Sequence, residues 1–348
     1  MRVLYLYAGS RKAFYEKWER GEVPDTQLLG LNYMERFGID AKFIEWRLPE
    51  FLRRISFNLV HLPYIFAIKK YDIVFICAGL PLVFIAKKIL HWKNPRFVIY
   101  NTYLANALRR HPRGVLHWFN KKAIEGLDVI VCTARTQMPP LIEAGIASEK
   151  IKFVPIGIDA RKFVGARGTD RVFQSDYILS VGRDLGRDYK TLFDAVRDLP
   201  VKVIVATKTE AIAGLIVPPN VEVRFNVPYE EMPALYHNAL FVVTPLKSTN
   251  NSIGSETSGQ YGYLEPMAAC KAVIATDKPV VRDYIENEKT GLLVQPENPA
   301  ALRAAIERLL RDKQFGNQLG NTAQVYVLVH FTSERWARSL SEIFKSLM

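Results

Sequence analysis

Ser258-Gly259-Gln260-Tyr261-Gly262-Tyr263-Leu264-Glu265-Pro266-Met267-Ala268-Ala269-Cys270-Lys271-Ala272-Val273-Ile274-Ala275-Thr276-Asp277 decides how this chain is read. It holds a glycine-bearing loop, an early carboxylate, a short helix of small residues and then a buried strand. A loop of this kind at a helix N-terminus points backbone N–H groups outward, and the helix dipole makes that end attractive to phosphate. A carboxylate one turn inside can accept hydrogen bonds from two neighbouring hydroxyls, as a ribose offers. Such a combination suits a nucleoside diphosphate. On this segment alone the plainer alternative stands equally: an ordinary helix start, with Glu265 favouring the dipole.

Other stretches follow in order along the chain. Ser180-Val181-Gly182-Arg183 and Arg187-Asp188-Tyr189-Lys190-Thr191-Leu192 stand ahead of a helix. Tyr236-His237-Asn238-Ala239 comes later, as do Lys289-Thr290-Gly291-Leu292-Leu293-Val294 and Phe331-Thr332-Ser333-Glu334. Val154-Pro155-Ile156-Gly157-Ile158-Asp159, with Phe163, precedes them all. In order and spacing these motifs resemble the retaining GT-B glycosyltransferases of the family 4-like group (group 1). The resemblance is strong over roughly residues 125–348 and weak before them.

That resemblance implies a site. Arg183 and Arg187 match two family cations that grip the donor diphosphate; the second is usually Lys, and Arg keeps the charge and can bind bidentately. Their task is electrostatic, because the leaving nucleoside diphosphate gains negative charge as the sugar bond breaks. Ser258, Gly259, Gln260, Tyr261 and Gly262 form the phosphate loop, with the N–H groups of the last three meeting the phosphate. Glu265 holds the ribose hydroxyls, and Asn226 and Val227 grip the base through the main chain. The alternatives are a solvated loop in which Asp184 and Asp188 neutralise both arginines, and a simple turn before Pro228. One departure stands out: eight residues before Glu265, where the family has a first Glu, lies Thr257, with Glu256 one position off. That acid usually contacts the transferred sugar, so its displacement leaves the sugar open.

The chain is long for one hydrophobic core and comfortable for two. Strands are expected at Val3–Ala8, Ala41–Trp46, Asp72–Ala78, Phe97–Thr102, Val129–Thr133 and Lys152–Ile156 in the first half. In the second half they are Tyr177–Val181, Val201–Ala206, Val221–Phe225, Phe241–Pro245, Ala272–Thr276 and Gly291–Val294. Most are nearly continuous apolar runs, the pattern of parallel strands buried on both faces. Helical stretches alternate with them, which gives two doubly wound α/β domains. The resemblance makes this a GT-B fold: two Rossmann-like domains facing across a cleft, with the C-terminal helix returning to the first. The expected division is residues 1–165, joined by 335–348, for the acceptor and 166–334 for the nucleotide sugar, with a seam near 158–175.

Less can be placed in the first domain. Gly9 and Ser10 follow the first strand, where the family often has a glycine loop near donor and acceptor, and Gly30 offers close approach at a helix start. Tyr103 or His111 could serve the acceptor; a lone His beside Arg109, Arg110 and Arg113 also reads as basic surface. Thr133 aligns with a family Ser or Thr, and reads equally as a helix cap. No Asp-x-Asp metal motif and no Gly-x-Gly-x-x-Gly dinucleotide loop is present. No bound cofactor or metal is expected, only a UDP- or GDP-sugar as substrate, and no nucleophile is named.

Charge is concentrated. Between Phe51 and Ile124 there are thirteen Lys and Arg and one acid, Asp72, so this window holds the whole chain's net +12. Paired cations flank apolar runs there, as on surfaces that lie on anionic membranes. The alternative is core strand and helix with cations at their solvent ends. Nucleic acid is a poorer partner, because the aromatics fall within strands and helices rather than on a stacking platform. Cys77, Cys132 and Cys270 stand singly, which suggests a reducing cytoplasm. The expected protein is a glycosyltransferase of cell-envelope or exopolysaccharide synthesis, peripheral on the inner face of the plasma membrane, acting on a saccharide or lipid-linked acceptor. The alternative is a catalytically silent subunit of the same fold that binds a nucleotide or glycan.

Overall fold

The computed structural model describes residues 1–45, 59–164, 177–248 and 259–348. They divide into two compact units, Met1–Pro155 with Ser333–Met348, and Ile156–Thr332. Much of the expected seam, from residue 165 onward, lies outside the described residues.

Each unit is built on a parallel sheet. The first holds β1 (Arg2–Leu6), β2 (Asp40–Phe43), β3 (Ile73–Ile76), β4 (Arg96–Asn101), β5 (Val129–Cys132) and β6 (Ile151–Phe153), in the order β2-β1-β3-β4-β5-β6. β3 and β5 are buried at every position, as their unbroken apolar sequences require of strands covered on both faces. β2, at the edge, exposes Asp40 and Lys42. It ends at Phe43, short of the expected Trp46, which lies outside the described residues. β6 also ends early: Val154 still donates to the Cys132 carbonyl, but Pro155 has no N–H with which to continue. Helices of this unit are α1 (Lys12–Glu19), α2 (Leu80–Phe84) extended by a π-helical turn Ile85–Ile89, α3 (Leu104–Arg110), α4 (Val115–Glu125) and α5 (Met138–Glu143). Leu4, Ile76, Phe97, Ile99 and Ile130 lead its core.

The second sheet holds β7 (Tyr177–Val181), β8 (Lys202–Thr207), β9 (Val221–Phe225), β10 (Ala239–Thr244), β11 (Val273–Thr276) and β12 (Leu292–Val294), ordered β12-β11-β10-β7-β8-β9. Its helices are α6 (Tyr189–Val196), α7 (Met232–His237), α8 (Gln260–Ala268), α9 (Pro279–Arg282), α10 (Pro299–Arg311) and α11 (Lys313–His330). α6 shows why such segments fold as they do. Asp188 caps it by accepting from the Thr191 N–H, and Tyr189, Leu192, Phe193 and Val196 form its buried stripe. Pro266 sits inside α8 and cannot donate to the carbonyl of Gly262, four residues earlier. The Thr244 hydroxyl takes that place, donating to the Gly262 oxygen at 2.8 Å.

The chain then adds its last helix, α12 (Ser333–Ser346), to the first unit. The Trp336 indole N–H donates to the Leu29 carbonyl at 3.0 Å. Gly30 has φ +86°, and a Cβ there would stand 2.9 Å from the Ala337 Cβ. The close approach expected of Gly30 is therefore that of α12.

Candidate functional site

In the second unit, the candidate residues gather at the carboxyl ends of β7 and β10, the edge at which doubly wound sheets bind ligands. Beyond β7 the chain passes through Gly182 and Arg183 to Asp188, and this loop pairs with the segment after β10. Asp188 donates its N–H to the Pro245 carbonyl at 3.1 Å, and Lys247 to the Gly186 carbonyl at 2.9 Å. Tyr189 and Thr207 both hydrogen-bond the Gly182 carbonyl, at 2.7 and 2.6 Å. The loop is rigidly placed.

Arg187 is the centre of the arrangement. It is 5% exposed, and its Nε donates to Asp184 Oδ2 at 3.2 Å. Gly182 and Gly262 make room for its guanidinium, whereas a Cβ on Gly259 would meet it only at ordinary contact distance. A Cβ would stand 1.9 Å from Arg187 Nε if built on Gly182, 2.9 Å from Nη2 if built on Gly262, and 3.7 Å from Nη1 if built on Gly259. Arg187 Nη1 is buried and has no hydrogen-bond partner among the described residues. A buried donor left unpaired costs about 1–3 kcal/mol, and more when charged. Here that donor lies beside the start of α8, where the helix dipole adds further positive potential. The guanidinium, paired through Nε with Asp184, and the helix end thus lie side by side, with Nη1 left for a further acceptor.

Gly259 opens α8 with φ +97°, a left-handed conformation that glycine adopts readily. The Gly262 N–H donates to the Gly259 carbonyl at 2.9 Å, within the turn. Gly262 thus gives space to Arg187, and the N–H assigned to phosphate in the sequence reading is engaged elsewhere. Gln260 is buried and donates from Nε2 to the Tyr284 hydroxyl at 2.8 Å; that hydroxyl also accepts the Ile156 N–H at 3.0 Å. Ser258, Glu256 and Thr257 lie outside the described residues.

Arg183 is exposed and donates through Nη2 to the Val227 carbonyl. Asn226, in a left-handed conformation at φ +53°, precedes Val227 at the end of β9. The structure therefore brings Arg183, Asn226 and Val227 together, with Arg183 holding the carbonyl of the expected base-binding strand end.

Glu265 is 4% exposed. Its Oε2 accepts from the Tyr236 hydroxyl at 3.0 Å, and its Oε1 from the Tyr229 hydroxyl. Burial pushes its pKa up to about 7, against the lowering effect of the two tyrosines. Both tyrosines lie well above the ordinary phenol range, first through burial and then through Glu265. Phe163 packs on both rings. Sequence reasoning gave no role to Tyr229 or Tyr236. Their seven-residue spacing, across a turn and into α7, was the available signal.

The first unit gathers its candidates less. Ser10 donates to Glu45, and the N–H groups of Arg11 and Lys12 donate to Glu45 Oε2 at 3.1 and 2.9 Å. The start of α1, after Gly9, is thus closed by a carboxylate of the chain itself, which disfavours a second anion there. Tyr103 precedes α3, and burial raises its hydroxyl above the ordinary range. His111 follows the same helix at its far end, about 10 Å of helical rise away. The two acceptor candidates are not brought together. Thr133 is not a cap: Gln137 Oε1 accepts the N–H groups of Thr133 and Ala134 at 2.8 and 3.1 Å. His61, unremarked in the sequence, is buried against Gly79 beyond β3, and burial lowers its pKa to about 4. Among the described residues no cluster of three His, Cys, Asp or Glu could hold a metal ion.

Residues 174–326 match the family Glycosyl transferases group 1. The second unit is a group 1 glycosyl transferase domain. The chain is similar to D-inositol 3-phosphate glycosyltransferase of Corynebacterium urealyticum, 24% identical over 292 residues, 74% of this chain and 66% of that protein. A putative glycosyltransferase of Bacillus subtilis, YtcC, is 27% identical over 35% of this chain and 28% of its own length. The chain thus spans just under two thirds of the first of these relatives and less of the second. Among solved structures, Anabaena HepE in complex with UDP and glucose aligns over 99% of both chains, with TM-score 0.70 and 14% identity. Sucrose-phosphate synthase from Thermosynechococcus elongatus aligns over 99% of this chain and 98% of its own, with TM-score 0.71 and 16% identity. These likenesses establish the fold: two Rossmann-like α/β units of the GT-B type.

Proposed function

We propose that this group 1 glycosyl transferase moves a sugar from a nucleoside diphosphate donor, UDP- or GDP-linked, to a saccharide or lipid-linked acceptor with retention of configuration. One observation carries the reading: the buried Nη1 of Arg187 beside the start of α8, without a partner among the described residues. A diphosphate there would pair that donor and meet the positive end of the helix. As the glycosidic bond breaks, charge develops on the leaving diphosphate, and a cation already fixed in place stabilises it without reorganisation. Arg183 sits on the strand end that would face the base, and Glu265 with Tyr229 and Tyr236 supplies the polar cluster for the ribose. The UDP bound to HepE supports a uridine donor.

The proposed setting is cell-envelope or exopolysaccharide synthesis at an anionic membrane surface, on the inner face of the plasma membrane. The basic window of the first unit supports it, and no described helix is long and apolar enough to cross a membrane. A second reading, a silent nucleotide-binding subunit, draws on Thr257 standing where the family has an acid. Purified protein incubated with a panel of UDP- and GDP-sugars decides between them. Release of nucleoside diphosphate in the presence of membranes supports transfer; a stabilising thermal shift with no release supports the silent subunit. Neither shift nor release for any donor contradicts both.

A further inference from the structure

The corner between α3 and α4 in the first unit carries a feature that donor binding does not use. α4 opens with Val115, Leu116 and Trp118, which are 83, 48 and 54% exposed. Three large apolar side chains on one helical turn are an unusual thing to leave in water. The helix beneath them is well anchored: Ala123 and Ile124 are buried, and Phe119 and Trp118 meet the Phe84 ring at 4.6 and 5.7 Å. Arg109, Arg110 and Arg113 immediately precede this turn, and Lys121 follows one turn later. None of these four cations forms an ion pair among the described residues, whereas Lys122 pairs with Glu125 and Lys87 and Arg96 pair with Asp128.

We infer that this corner inserts into an anionic lipid bilayer, with Val115, Leu116 and Trp118 entering the headgroup boundary and Arg109, Arg110, Arg113 and Lys121 meeting lipid phosphates. A fixed apolar turn that includes Trp118, with three exposed arginines just before it and Lys121 one turn on, none of them ion-paired among the described residues, has the composition of an interfacial anchor. The charge complementarity is to a bilayer carrying acidic lipid.

The position of the corner indicates what it serves. α4 runs back towards the amino end of β5, so its first turn stands about 16 Å nearer the carboxyl edge of the sheet. Asn120 Nδ2 donates to the Ala107 carbonyl of α3, and α3 begins at that edge, directly after β4. Docking by this turn would hold the first unit's ligand edge next to the membrane. The acceptor class this implies is a lipid-linked one, entering from the bilayer. That last step rests on the transferase reading above; bilayer insertion itself does not.

The test is sedimentation with vesicles of phosphatidylcholine alone, or with about 30% phosphatidylglycerol added. Wild-type protein is expected to partition into the anionic vesicles at low salt. Leu116→Glu/Trp118→Glu should reduce that partitioning on the order of tenfold, and Arg109→Gln/Arg110→Gln/Arg113→Gln should abolish the preference for anionic lipid. The milder Trp118→Ala should also weaken binding while leaving UDP affinity in calorimetry as in wild type, which guards against a folding defect. Partitioning of Trp118→Ala and the double variant at wild-type levels would overturn the inference, as would wild-type protein that ignores both vesicles. Vesicle binding by a protein that binds neither UDP nor GDP would sink the donor reading and leave this one standing.

Discussion

A Cβ on Gly262 would lie 2.9 Å from Arg187 Nη2 and 3.2 Å from Nη1, so the first turn of α8 closes directly over the guanidinium. Residue 262 therefore determines whether Arg187 can keep its position.

Gly262→Ala forces that choice. Either Arg187 withdraws or α8 shifts, and overpacking of this kind costs typically about 1–3 kcal/mol. The variant should unfold at lower urea concentration and bind UDP more weakly than wild type. An unchanged UDP affinity would show that the Arg187 position does not matter to the ligand.

Glu265 sets a pH dependence. Its pKa of about 7 in the folded protein exceeds the ordinary carboxylate value, so between about pH 4.5 and 7 the folded state binds more protons than the unfolded. Stability should fall as pH rises through that window and level off above it, by an amount on the order of 3 kcal/mol. Urea unfolding at intervals between pH 5 and pH 8 measures this. Glu265→Gln should flatten that fall. If a ribose meets the carboxylate, affinity for a UDP-sugar, whose diphosphate does not titrate in this range, should rise through the same pH window in wild type only. A parallel slope in the Gln variant would assign the effect to another group.

Gly30→Ala tests the docking of the last helix. The residue has φ +86° and a clash at Ala337, so strain and overpacking act together. Thermal unfolding should shift downward by several degrees, with UDP binding retained at temperatures where the protein is folded. Loss of UDP binding in fully folded protein would make the first unit part of the donor site.

The two-domain parallel fold was legible in the sequence because unbroken runs such as Ile73–Ile76 and Val129–Cys132 have few other uses. Arg183, Arg187 and Glu265 stand out in the sequence through their motif, and the structure places them at one edge of one sheet. Their partners do not stand out. Tyr229 reaches Glu265 from 36 residues away, and Glu45 reaches Ser10 across 35, distances over which no periodicity operates. Gly262 misled for a related reason. A glycine at a helix start signals an available N–H in sequence, and only the packed structure reveals that its missing side chain accommodates an arginine. Tyr103 and His111 were alternatives for the acceptor, and the structure places them at opposite ends of α3.

The measurement that tests the central claim most directly is isothermal calorimetry of UDP and GDP with wild-type protein and with Arg187→Ala. A diphosphate paired with the buried guanidinium should lose about 2 kcal/mol of binding, roughly thirtyfold in affinity, and the loss should shrink for uridine lacking phosphates. Equal affinity of both proteins for UDP and for GDP would contradict the account.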